Sequence, residues 1–209
     1  MRFIVLLFLI LLVSCSKKEQ KFIPSQEMKS IYNQEELADI QTLVELFNSR
    51  VCESQNDLSC YRGVLRDIDG DMCVLFEMFD DTVSDKVGDF ISKHPNVIWS
   101  ECRSTLYAVN QDYQSPCISP ETKFASYLSN LNNDLKIVKT MEKELDESGF
   151  LDINWWLSEY YILTELNRSD LRNPNINFFI AIGVLGGYYD YQLQLELGVD
   201  YFDTSDLRF

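Results

Sequence analysis

Residues 119–149 read SPETKFASYLSNLNNDLKIVKTMEKELDESG, and this stretch decides the fold class. Phe124, Tyr127/Leu128, Leu131, Leu135, Val138, Met141 and Leu145 recur at three- and four-residue steps, which places apolar side chains on one face of a helix. Ser119-Pro120-Glu121 supplies a start: a capping hydroxyl, a proline in the first turn and an acid at the positive end of the helix dipole. Gly149 supplies a stop. The stretch predicts one long amphipathic helix in a mainly α protein.

The same period appears on both sides. From Asn33 to Glu53, Leu37, Ile40, Leu43/Val44, Phe47 and Val51 share a face, and Asn33 with Glu36 has the spacing of a capping box. A third helix is predicted from about Asp152, carrying Trp155, Trp156, Tyr160, Ile162, Leu163 and Leu166. Asn173-Pro174 opens a fourth, from Asn175 to about Leu197, again with a cap and a proline at the first helical position. Its stretch Phe178–Tyr189 carries no charge, so this helix is predicted to be buried on most sides. Gly183, Gly186 and Gly187 lie inside it, a placement tolerated where another backbone comes close.

Residues 58–93 admit two readings. Arg62–Ile68 and Met72–Phe79 flank Asp69-Gly70-Asp71, which fits a β-hairpin around 62–79 with a D-G turn. The same letters fit short helices, with Asp71 capping one and Ser84 capping another over Val87, Phe90 and Ile91. Helices are favoured, because the neighbouring segments have helical period and an isolated hairpin is marginal in water. Residues 110–119 read as a loop and 200–209 as a frayed tail. The expected architecture is a small helical bundle or array.

The chain has 209 residues, 18 Lys+Arg against 33 Asp+Glu, and a net charge of −15. That balance excludes an ordinary nucleic-acid binder, which needs a basic face to displace counterions from phosphates. With 46% hydrophobic residues, the composition is that of a globular protein.

The N-terminus has a different character. Met1-Arg2 precedes the uncharged apolar run Phe3–Val13, which is too short to span a bilayer but has the form of a secretory signal. It ends in Leu12-Val13-Ser14-Cys15. This segment resembles the signal and lipobox of bacterial lipoproteins, in which the Cys is acylated and becomes the first mature residue. The resemblance covers residues 1–15. It implies three acyl chains on Cys15, enough for a stable tether where one chain binds only reversibly. Ser16, rather than Asp, resembles the pattern that permits sorting to the outer membrane of a Gram-negative cell. The expected division is a signal peptide at 1–14, an acylated Cys and polar stalk at 15–30, and a single helical domain at 31–209. The stalk's Lys17, Lys18 and Lys21 read as solvated spacer.

Five cysteines remain after Cys15: Cys52, Cys60, Cys73, Cys102 and Cys117. Export permits disulfides, and an odd count leaves one thiol over. Fifteen two-bridge arrangements are open. Cys52–Cys60, closing a polar loop, and Cys102–Cys117, fastening the loop before the long helix, are the hypothesised pair. Cys73 in Met-Cys-Val-Leu-Phe reads as a buried hydrophobe.

Candidate chemistry is sparse. Asp67, Asp69 and Asp71 cluster like ligands for a hard cation, but Gly70 and Met78 fall at the wrong positions for an EF-hand loop, so a solvated turn is the plainer reading. From Asp67 to Asp89 there are eight acids and only Lys86 to offset them, an acidic surface suited to a basic partner. There is no G-x-S-x-G elbow, no phosphate-cradling glycine loop and no C-x2-C pair. The only histidine, His94, stands between Lys93 and Pro95 and reads as a surface turn residue. No cofactor and no metal site is expected. Trp155, Trp156, Tyr160, Tyr161, Tyr188 and Tyr189 concentrate large rings near the C-terminus; packing is the ordinary use of such rings, and an outward-facing subset would form a partner surface.

The leading expectation is a lipid-anchored bacterial envelope protein that binds a protein partner without catalysis. The alternatives are an envelope glycan hydrolase using paired carboxylates and a lipoprotein that holds a small ligand or glycan between helices.

Overall fold

The computed structural model describes residues 21–52, 59–70, 75–106, 109–131, 136–152, 166 and 170–199. Its helices are α1 (Gln26–Ile31), α2 (Gln34–Val51), α3 (Ser59–Gly70), α4 (Asp81–Lys93), α5 (Lys123–Asn130), α6 (Lys136–Ser148) and α7 (Pro174–Glu196). Strands β1 (Ser100–Leu106), β2 (Gln111–Ile118) and the two-residue β3 (Leu151–Asp152) form one small antiparallel sheet in the order β1-β2-β3. The fold is mainly α with a short hairpin.

The centre of the fold is α7. Asn173 caps it, its Oδ1 accepting the Asn175 N–H at 3.0 Å, and Pro174 occupies the first turn, where its missing N–H costs nothing. From Phe178 to Tyr188 every residue is buried, so the uncharged stretch is a core helix surrounded by α2, α4 and β2. It ends in a Schellman motif. Gly198 takes φ +79°, its N–H reaches the Leu195 carbonyl at 2.9 Å, and the Val199 N–H reaches that of Gln194 at 3.0 Å.

Two aromatic groups pack along α7. Near its start, Phe178 and Phe179 meet Phe124 and Tyr127 of α5, with ring centroids 5.7–5.9 Å apart. Near its end, Tyr188 meets Phe76 and Phe79 at 5.5 and 5.2 Å, and Tyr191 stacks on Phe76. Edge-on and tilted contacts of this kind add to the large apolar area each ring buries.

Helix α2 follows its sequence closely. Both arms of the capping box form: Asn33 Oδ1 accepts the Glu36 N–H at 2.9 Å, and Glu36 Oε2 accepts the Asn33 N–H at 2.8 Å. Ile40, Leu43, Val44 and Phe47 are the buried face. Helix α4 presents Val83, Val87, Phe90 and Ile91 to the core. It starts at Asp81, three residues before the Ser84 cap expected from the sequence, because Val83 also belongs to its buried stripe.

Several boundaries differ from expectation. The long helix of 119–149 is divided. Helix α5 starts at Lys123 with Thr122 as its cap, Thr122 Oγ1 accepting the Ala125 N–H at 3.1 Å, so Ser119 is not the cap. Leu131 then turns to extended backbone (φ −72°, ψ 100°) and α6 begins at Lys136. The sequence between them, Asn132-Asn133-Asp134, is of the turn-favouring type.

The hairpin lies at 100–118 and not around 62–79. Residues 59–70 are helical, which agrees with the favoured reading there, whereas 111–118 is a strand and not a loop. Asn110, with φ +51°, makes the turn, and Asn tolerates that conformation because its short side chain bonds locally. Leu151 and Asp152 form β3, pairing with Ile118 and Cys117, and residues 153–165, where the third helix is expected, lie outside the described residues.

The folded region also begins earlier than residue 31. Phe22 and Met28, placed in the stalk by the sequence, are buried in the core.

Candidate functional site

Three polar constellations are built from these elements. The first joins α2 to the C-terminal end of α4. Glu35 and Asp39 lie one turn apart on α2, so both carboxylates face the same neighbour. That neighbour is the end of α4, where Lys93 Nζ lies 2.9 Å from Glu35 Oε1 and 2.7 Å from Asp39 Oδ2. His94 caps α4, and its Nε2 is 2.7 Å from the same Asp39 oxygen. The hydrogen bonds from Lys93 and then His94 hold the Asp39 carboxyl below the usual carboxylate range. His94 is therefore no surface turn residue. It is buried, its ring 5.0 Å from that of Phe90.

One residue along α2, Glu36 faces inward. Burial alone would raise its pKa, but the Lys123 ammonium at 2.7 and 2.9 Å and the Asn33 N–H outweigh burial and lower it. Glu36 thus completes a helix cap and ties α2 to the start of α5.

The second constellation holds the hairpin to α7. The fully buried Asp190 accepts from Ser115 Oγ at 2.7 Å and from the Tyr113 hydroxyl at 3.0 Å through Oδ1, and from Gln194 Nε2 at 2.6 Å through Oδ2. Gln194 Nε2 also donates to the Tyr113 oxygen at 3.0 Å. Burial, followed by the Asp190 charge, pushes the Tyr113 hydroxyl up to about 12. A buried carboxylate needs such donors, and one strand and one helix supply Tyr113, Ser115 and Gln194. Composition gave no sign of this residue's importance; an acid in the middle of an apolar helix was the available signal.

The third is an open groove of about 460 Å³ between α4 and the last turns of α7, lined by Asp85, Gly88, Asp89, Tyr189, Leu193 and Glu196 among others. The Tyr189 ring lies against Gly88, where an added Cβ would sit 3.2 Å from Tyr189 Cε2. Asp85, Asp89 and Glu196 are exposed around the half-buried ring. Burial first, then the charges of Glu101 and Glu196, raise the Tyr189 hydroxyl above its ordinary value. A larger open depression, about 730 Å³, lies beside β1 and is edged by Trp99, Ser100, Ser119 and the two exposed carboxylates Glu101 and Glu121.

The cysteines pair as hypothesised. Cys52–Cys60 bridges the end of α2 to α3 with Cα atoms 5.0 Å apart, and Cys102–Cys117 crosses the hairpin at 5.8 Å. In the ladder Cys102 stands opposite Ser115 and Cys117 opposite Ser100, so the second bridge is diagonal.

Other candidates fare differently. Asp67 and Asp69 belong to α3, a helical backbone and not a turn, while Asp71 lies outside the described residues. Tyr188 is a core residue at 3% exposure and offers no partner surface; Tyr189 borders the groove. Trp155, Trp156, Tyr160, Tyr161, Cys73 and Cys15 lie outside the described residues. Among the described residues no helix is long and apolar enough to cross a membrane.

Comparison of the chain with protein-family models, curated proteins and solved structures returned no match.

Proposed function

We propose that this chain is a lipid-anchored protein of the bacterial envelope, tethered through acylated Cys15, that binds a basic segment of a protein partner in the groove between α4 and α7. The observation that carries the reading is the groove itself: the Tyr189 ring, set against Gly88, with exposed Asp85, Asp89 and Glu196 around it. A Lys or Arg side chain of a partner would meet a ring face and several carboxylates together, and a ring face attracts cations by about 0.5–2 kcal/mol. Complementary charge would also accelerate encounter and make it salt-dependent. The two disulfides support an exported protein, because such bridges persist in oxidising compartments. The lipobox at Leu12–Cys15 supports the anchor.

The test is cross-linking of the acylated protein in its own envelope, followed by mass spectrometry, for the unaltered chain and for Asp85→Lys/Asp89→Lys. A partner recovered in near-equal amount from the first and lost from the second supports the groove. Equal recovery from both removes the groove from the reading, and recovery of the chain alone overturns the reading itself. The anchor is tested separately: Cys15→Ser abolishes acylation and releases the protein from the membrane fraction.

An envelope glycan hydrolase is the second reading. It draws on Glu101 and Glu121 at the edge of the Trp99 depression. Both are exposed, unlike an acid held protonated by an apolar pocket. Release of soluble sugar from purified envelope glycan, lost in Glu101→Gln or Glu121→Gln, would carry it.

A further inference from the structure

We infer that Glu35, Asp39 and His94 form a binding site for a borderline divalent transition metal ion, with zinc as the representative. One ligand atom from each lies within 4.8 Å of the other two. Imidazole with carboxylates is a donor set that suits zinc and its neighbours better than calcium or magnesium. The site combines elements distant in sequence. Two carboxylates one turn apart on α2 face the only histidine of the chain, which is buried and packed against Phe90.

The Lys93 ammonium occupies the same place and competes for the carboxylates. It sits 2.9 Å from Glu35 and 2.7 Å from Asp39, so the two carboxylates already converge on a cation. Lys93 is half exposed, and its long side chain can swing into solvent when a metal ion takes its place. A tetrahedral ion with bonds of about 2.0–2.1 Å holds its ligand atoms roughly 3.4 Å apart. The Asp39–His94 separation of 2.7 Å therefore opens by about 0.7 Å. The widest pair closes from at most 4.8 Å, a change within reach of the exposed Glu35 side chain. Three protein ligands leave a position for water. The ion takes the place between His94 Nε2 and Asp39; the ring proton is carried on Nδ1, so that a neutral imidazole ligates through Nε2, and the Lys93 ammonium swings into solvent. The three ligand residues are not among those that line the α4–α7 groove, and the inference does not depend on what that groove binds.

The experiment uses the full chain without an affinity tag, stripped of metal, in detergent, with free thiols alkylated so that cysteine cannot contribute. Zinc is titrated by calorimetry and the single imidazole is followed by ¹⁵N NMR. One zinc ion binds per chain with a dissociation constant on the order of micromolar, and a ring nitrogen of His94 shifts with the same saturation. His94→Gln weakens binding by about tenfold or more, Glu35→Gln by several-fold, and Lys93→Met tightens it by removing the competing ammonium. Magnesium and calcium at millimolar concentration leave the imidazole signal unchanged. Because Glu35 and Lys93 are exposed, their variants test the site even if His94→Gln fails to fold. The inference is overturned if zinc gives no saturable binding at about 100 µM, or if it binds without moving the His94 resonance. Equal affinity in Glu35→Gln and Lys93→Met overturns it as well.

Discussion

Opening the Cys102–Cys117 bridge tests how much of the stability comes from closing loops. The change is Cys102→Ser with Cys117→Ala; alanine is used at 117 because that position is 1% exposed and a serine hydroxyl there would be buried. The bridge spans 15 residues. In the chain-entropy model, freeing a loop of that length returns about 10 cal/mol/K to the unfolded chain, or about 3 kcal/mol at 25 °C. The Cys52–Cys60 bridge spans eight residues, and the same relation gives about 2.5 kcal/mol. Together they approach the whole stability of a marginal domain, about 5–15 kcal/mol. The assay is urea unfolding without reductant. Loss of the longer bridge lowers the midpoint, and the slope rises because the released chain exposes more surface when unfolded. A loss below about 1 kcal/mol refutes the loop-closure argument, since the ladder and the Asp190 hydrogen bonds would then hold the hairpin unaided. A larger loss from the shorter bridge refutes it too. In the acylated, unreduced and unfolded protein, a thiol assay finds one free cysteine, Cys73; two or more contradict the pairing.

Asp190→Ala strands the buried donors of Ser115 and Gln194 and costs about 2–4 kcal/mol, while Asp190→Asn keeps an acceptor oxygen and costs less. Urea midpoints of the two variants check this, and a neutral Asp190→Ala defeats it. Tyr32, Tyr61, Tyr113 and Tyr127 all have pKa values raised above 10, burial being the largest cause in each. The unfolded chain therefore loses phenolic protons first, and stability falls as pH rises above 10. A urea midpoint that holds steady from pH 9.5 to about 11.5, while tyrosinate absorbance rises fully around 10, would show that these hydroxyls are not shielded.

Helix positions were legible where one physical signal dominated. Asn33 with Glu36 and Asn173 with Pro174 mark helix starts through hydrogen bonds made within a single turn, so local sequence suffices to find them. The hairpin was missed for the opposite reason. The first half of β2, Gln111–Gln114, is largely exposed and polar, and Arg103 and Thr105 of β1 both donate to its Asp112. Those are cross-strand contacts that no alternation of apolar residues announces. The turn signal at Asn132-Asn133-Asp134 was present but was outweighed by an apolar stripe that continues in phase across it. His94 was misjudged because its partner Asp39 is 55 residues away; spacing along the chain carries no trace of that contact. The Cys102–Cys117 pairing is expected from the sequence as a fastening for a loop, and the bridge that forms joins two strands instead.

The burial of Phe22 has a further consequence. If Cys15 carries the acyl anchor, only seven peptide steps separate lipid from core. At about 3.3–3.6 Å per fully extended residue, the leash is at most roughly 25 Å long. A domain on so short a leash cannot sweep the periplasm or the exterior in search of partners. Such an anchor would hold the domain low, with α1 nearest the headgroups, and its acidic surfaces would be repelled by any anionic leaflet beneath. Whatever it meets must come within one domain's breadth of the bilayer, so lengthening the leash, more than altering any contact, would change which molecules it can reach.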